Sequence, residues 1–153
     1  MKKIAILGVL VIAVLVTASA FAGFPKINTG NSTMNKVVNT GVSTAVNTTV
    51  ASDINKAIKS YNCAFKNSTT TTDTTCDMSQ VINTIKSKKS ALETLGLAKV
   101  YVHVKASGND TTAYKRSNFI RDRLYGEMNW YRYNVSSSTD NSNNLAIWVE
   151  VQD

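Results

Sequence analysis

The sequence predicts an α+β fold: a two-layer sandwich with helices on one face of a mixed sheet, in the order β-α-β-α-β-β, preceded by an N-terminal helix. Two patterns carry this. Val100, Val102 and Val104 alternate with Tyr101, His103 and Lys105, and Leu145, Ile147, Val149 and Val151 alternate with Ala146, Trp148 and Glu150. That is the period of strands with one buried face. Between such stretches, Met78, Val81/Ile82, Ile85, Leu92 and Leu95, and later Ala113, Ser117, Ile120 and Leu124, recur every three or four residues. That is the stripe of a helix lying on a core.

The first segment is read as targeting. Lys2 and Lys3 precede an apolar run from Ile4 to Val16, followed by Thr17-Ala18-Ser19-Ala20-Phe21-Ala22. A basic start, a short apolar stretch and small residues in A-x-A spacing describe a secretory signal peptide over residues 1–22, cleaved after Ala22 or Ala20. The run is short of the roughly 20 residues that span a bilayer. Residues 23–35 hold the only proline and several asparagines and read as a leader. Val38, Val42, Ala45/Val46, Val50, Ile54, Ala57/Ile58 and Tyr61 then trace a helical stripe. Its threonines, valines and asparagines are poor helix formers. With Ser52-Asp53 as a cap, the helix proper is expected over 53–61 and an extension over 36–51. The chain thus divides into a signal (1–22), a leader with a helical extension (23–52) and one domain (53–153).

Within the domain, Tyr61 to Phe65 is the first strand candidate. Asp77 with Gln80 three residues on forms a capping box and opens a helix over 78–95, which Gly96 and Leu97 close in a left-handed cap. Residues 99–105 give the next strand. Ser107-Gly108-Asn109-Asp110 breaks it, and Thr111 or Thr112 can cap a helix reaching about Leu124. Asn129 to Val135 is aromatic-rich and strand-like, Ser136 to Asn144 a polar loop, and Leu145 to Val151 the last strand. The last two strands are expected to pair as a hairpin, and the inner face to hold Val100, Val102, Val104, Leu145, Ile147 and Val149.

Cys63 and Cys76 are the only cysteines. In an exported chain they are expected to form one disulfide, worth about 3 kcal/mol by loop closure. Their spacing is not the C-x-x-C of a redox pair. Beyond Lys3 the chain holds fifteen basic and ten acidic residues. That mild excess suits anionic envelope partners or serves solubility alone, and the export signal argues against nucleic acid.

The inventory for catalysis is thin. His103 is the only histidine and sits mid-strand between valines, so it reads as a polar-face residue rather than a base or ligand. No cluster spaced for a metal and no phosphate-binding glycine loop is visible. No catalytic residue, metal or cofactor is therefore assigned, and a wall hydrolase would need a carboxylate pair that does not declare itself. Tyr125, Trp130, Tyr131, Tyr133 and Trp148 form an aromatic group shared between core and sheet surface. Asp110 and the basic residues Lys115, Arg116, Arg121 and Arg123 meet at the strand–helix corner. There they either pair among themselves or clamp a zwitterionic ligand, carboxylate on Arg116 and ammonium on Asp110.

The element order, and the run Arg116-Ser117-Asn118-Phe119-Ile120-Arg121-Asp122-Arg123-Leu124, resemble the OmpA-like peptidoglycan-associating domain, whose helix carries R-A-x-x-V-x-x-x-L. The closing "LAIWVEV" is similar to that family's last strand, and the resemblance covers about residues 61–153. It implies a periplasmic protein that binds the wall peptide non-covalently, with Asp110 and Arg116 as its ligand-binding pair. The connection from Gly108-Asn109-Asp110 to Arg116 is shorter than in the family, and Asn143-Asn144 stands where paired arginines are common. The expected function is a non-enzymatic envelope protein that binds peptidoglycan. The alternative is an exported adaptor that contacts another envelope protein through residues 36–61 and surface aromatics.

Overall fold

A computed structural model describes residue 30 and residues 49–66, 72–92 and 99–152 of the chain. The signal, most of the leader, Gly96 and Leu97 lie outside the described residues. Four helices and three strands follow: α1 (49–60), α2 (Met78–Lys86), α3 (Lys89–Leu92), β1 (Lys99–Ser107), α4 (Asp110–Glu127), β2 (Arg132–Ser138) and β3 (Leu145–Gln152). None of these helices is long and apolar enough to cross a membrane.

The fold is the α+β class, with a mixed sheet in the order β2-β1-β3. β1 pairs parallel with β2, across the α4 connection, and antiparallel with β3. The hairpin expected of the last two strands is thus replaced by a crossing, in which the chain passes over the end of β1 and returns on its far side. Composition explains the arrangement. β1 carries Val100, Val102, Val104 and Ala106, all buried, and takes the centre, whereas the polar RYNVSSS of β2 suits an edge.

The six inner-face residues named from alternation are all buried, as are Ala113, Ser117, Ile120 and Leu124 on α4. α1, α2 and α4 join them in one apolar cluster through Ile54, Ile58, Met78, Val81, Ile85 and Leu124. α1 is already helical at residue 49 and buries Ala51, so the boundary expected at 52/53 falls inside an element. The single helix expected over 78–95 stops at Lys86. Ser87 caps it: its N–H still makes the helical bond to the Asn83 carbonyl, but its hydroxyl donates to the Thr84 carbonyl and the Lys88 N–H turns to that of Ile85, three residues back. Local bonding of this kind competes with helix continuation. α3 resumes two residues later and buries Leu92. Asp77 does cap α2, accepting from the Ser79 N–H at 2.8 Å. α4 is capped by Asn109 rather than by a threonine, its side chain accepting from the Thr112 N–H at 3.0 Å.

The strand expected over 61–65 is reduced to two isolated bridges, Ala64 to Asn144 and Phe65 to Thr74. Cys63 and Cys76 are disulfide-bonded with Cα atoms 4.8 Å apart. The bond ties the exit of α1 to the residue before the α2 cap.

Candidate functional site

The corner between β1 and α4 was one expected site, and the structure exposes one of its two residues and buries the other. Asp110 is exposed in the first turn of α4, while Arg116, one turn and a half further on, is 1 % exposed. Its Nη1 donates to the Ser107 carbonyl at 2.8 Å, its Nη2 to Oδ1 of Asn143 at 3.3 Å, and its guanidinium lies 4.4 Å from the centroid of the buried Phe65 ring. Burial pushes its pKa down from the ordinary arginine value. Arg116 therefore joins α4, the end of β1, the 139–144 loop and the segment after α1. Gly108 leaves room for it. A Cβ there would stand 3.1 Å from the Ala113 nitrogen and 3.3 Å from Nη1 of Arg116.

The loop that crosses the end of β1 is held by a residue that sequence reading passed over. Oδ1 of Asp140 accepts from the Ser142 N–H at 3.0 Å. Its Oδ2 accepts from the hydroxyls of Ser138 at 3.2 Å and Ser107 at 3.4 Å. The Ser142 bonds, with help from the two hydroxyls, hold its carboxyl below the usual carboxylate value. The signal available was an aspartate two residues before a serine in a polar loop, the pattern of an Asx turn.

The other face of the sheet offers a different arrangement. Register places Lys99, Tyr101, His103 and Lys105 of β1 beside Arg132, Asn134 and Ser136 of β2, and beside Gln152, Glu150, Trp148 and Ala146 of β3. Lys105, Arg132, Asn134, Ser136 and Ala146 are exposed, so no described element covers this face. His103 stacks on Trp148 with ring centroids 4.7 Å apart and planes 7° from parallel. Tyr101 stands 6.4 Å from His103, and Arg132 lies over Tyr101 while donating to its hydroxyl at 3.1 Å. Glu150 brings a carboxylate oxygen 2.8 Å from Nε2 of His103, a close contact without hydrogen-bond alignment. The result is a row of rings across two strands, bordered by three cations and one carboxylate.

Beyond Trp148, on the side away from His103, runs a groove of about 410 Å³ between β3 and α1, lined by Ile58, Lys59, Asn62, Ala146 and Trp148 among others. Asn55 lines it too. Its side-chain oxygen accepts from the Val149 N–H at 2.7 Å, and its amide donates to the Val149 carbonyl at 2.9 Å. Of the aromatics singled out from sequence, Tyr131 is buried, Tyr133 is half-buried on the helix side, and Trp148 is on the open face. Among the described residues no three of His, Cys, Asp and Glu come together as a metal site. Comparison with protein-family models, with curated proteins and with solved structures gave no match to this chain.

Proposed function

We propose that the chain is a non-enzymatic, exported protein of the cell envelope that associates non-covalently with peptidoglycan, and that the contact is made by the open face of the sheet. The observation that carries the reading is the row Tyr101–His103–Trp148 with Lys99, Lys105 and Arg132 around it. Aromatic rings offer flat apolar area at little entropic cost, which suits the C–H faces of sugar rings. The wall's peptide carboxylates meet an excess of cations there. The signal read in residues 1–22 supports export, and a disulfide is at home in an oxidising compartment. Arg116 contributes less to this reading than the resemblance implied, because its donors are engaged by Ser107 and Asn143.

The test is co-sedimentation of the purified protein with sacculi over a salt series. Wild type is expected in the pellet, released as salt screens the cations. Trp148→Ala is expected to weaken binding about tenfold, the equivalent of about 1.4 kcal/mol, while Asp110→Ala binds as wild type. A folded wild type that stays in the supernatant, or a Trp148→Ala variant that sediments equally well, overturns the reading.

One observation favours the adaptor as a second reading. Tyr114 and Tyr125 on α4 are 65 % and 52 % exposed, and Phe119 and Trp130 are 41 % and 44 % exposed. Exposed aromatics at this density are what protein contacts use. Retention in isolated envelopes discriminates the two: loss on Tyr114→Ser/Phe119→Ser with retention of Trp148→Ala favours the adaptor.

A further inference from the structure

The two edges of the sheet are treated differently. On β3 the outer edge is closed twice, by the bridge of Ala64 to Asn144 with the Phe65 N–H on the Asn143 carbonyl, and by the carboxamide of Asn55 on Val149. On β2 no described residue pairs with the outer edge.

The direction of its free groups follows from the bonds around it. The Gly108 N–H donates to the Ser138 carbonyl and the Ser107 N–H to the Asn144 carbonyl. Even-numbered residues of β1 therefore face β2, and odd-numbered ones face β3. In a parallel ladder the even-numbered residues of β2 then bond back to β1, which leaves the N–H and C=O of Tyr133, Val135 and Ser137 pointing outward. Prolines, lysines and bulges commonly blunt such an edge, and the strand RYNVSSS has no proline or lysine and pairs with β1 in unbroken register.

We propose that this edge joins a second copy of the chain, β2 pairing antiparallel with β2 about a two-fold axis at Val135. In that register Val135 lies opposite the partner's Val135, and Tyr133 opposite the partner's Ser137. All the outward groups meet as directly bonded pairs, about six hydrogen bonds in total. Arg132, the strand's only charge, falls opposite the partner's Ser138, so no like charges meet across the axis. The rim above the edge is aromatic: Tyr133 is half-buried on the helix side and Tyr125 stands edge-on to it at 5.8 Å, still half exposed. A partner copy covers this rim as well as the strand. The product is one six-stranded sheet with the helices on one face and the two open faces joined on the other. It forms whatever that open face binds.

The experiment is light scattering with size exclusion on the purified protein across a concentration series, beside two variants. Ser137→Pro removes an outward N–H, leaves the bonds to β1 intact and lies at an exposed edge position, where proline is tolerated. Val135→Cys puts a thiol at the axis, since the native cysteines are already bonded to each other. The expected result is a mass that rises to twice the monomer's, a dissociation constant raised about tenfold or more by Ser137→Pro, and a self-cross-link of Val135→Cys with a short bismaleimide. A protein that stays monomeric at the highest concentration overturns the proposal. So does a dimer that neither responds to folded Ser137→Pro nor cross-links at residue 135, because another surface then makes it.

Discussion

Arg116 and Asp110 illustrate how differently two neighbouring charges can be used. A long basic side chain is expected at the surface, yet Arg116 is among the largest fully buried side chains, and it bonds a backbone carbonyl and a side-chain amide while covering the Phe65 ring. Truncating it leaves an acceptor on Ser107 without its donor and a void beside Phe65. Arg116→Ala is therefore expected to cost about 3 kcal/mol or more, read as a lowered urea midpoint, whereas Asp110→Ala leaves the midpoint nearly unchanged. An Arg116→Ala variant as stable as wild type would show that the corner is held by something else. Spacing sets Arg116 three residues after Ala113 and four before Ile120, at the border of the buried stripe, but its charge reads as surface. Its partners Ser107, Asn143 and Phe65 come from three other segments.

At the scale of elements, α1 and β3 are joined by one carboxamide. Asn55 and Val149 are separated by 94 positions, so no local pattern could pair them. The Asn55 side chain mimics a peptide group and satisfies both polar groups of Val149 at an edge where a foreign strand could otherwise attach. Asn55→Ala is expected to lose about 2 kcal/mol, two hydrogen bonds' worth, and to aggregate sooner on storage at high concentration. Unchanged stability and unchanged turbidity would mean that Ile54 and Ile58 alone hold α1 in place. The break of α2 at Ser87 belongs to this scale too. The apolar stripe runs on to Leu92, so periodicity reads as one helix, while the Ser87 hydroxyl on the Thr84 carbonyl and the Lys88 N–H on the Ile85 carbonyl, three residues back, end it.

For the molecule as a whole, the disulfide bonds the exit of α1 to the entry of α2 around a polar loop. Closing a loop of this length restricts the unfolded chain by about 3 kcal/mol. Replacing both cysteines by serine is expected to lower the melting temperature by on the order of 10 °C while leaving the proposed wall binding intact below that temperature. Lost binding in a folded Cys63→Ser/Cys76→Ser protein would place part of the ligand contact on the 63–76 loop. The open face of the sheet belongs to this scale, because it exists only once β1, β2 and β3 lie side by side. Tyr101, His103 and Trp148 were each legible as outward strand residues, but their assembly into one row depends on register.

Periodicity by itself determined the inner residues of β1 and β3 by alternation, the buried stripe of α4 by its helical repeat, and with them the α+β class, because side-chain period follows from local backbone geometry and solvent. The disulfide was expected from the pair of cysteines together with the export signal read in residues 1–22. Tertiary structure alone decided that β1 is central, that β3 crosses over rather than turning back, that Arg116 is interior and that the sheet keeps one edge closed and one open. Each of these depends on contacts between residues distant in the chain, whose free energy comes from burial and pairing that no local window contains.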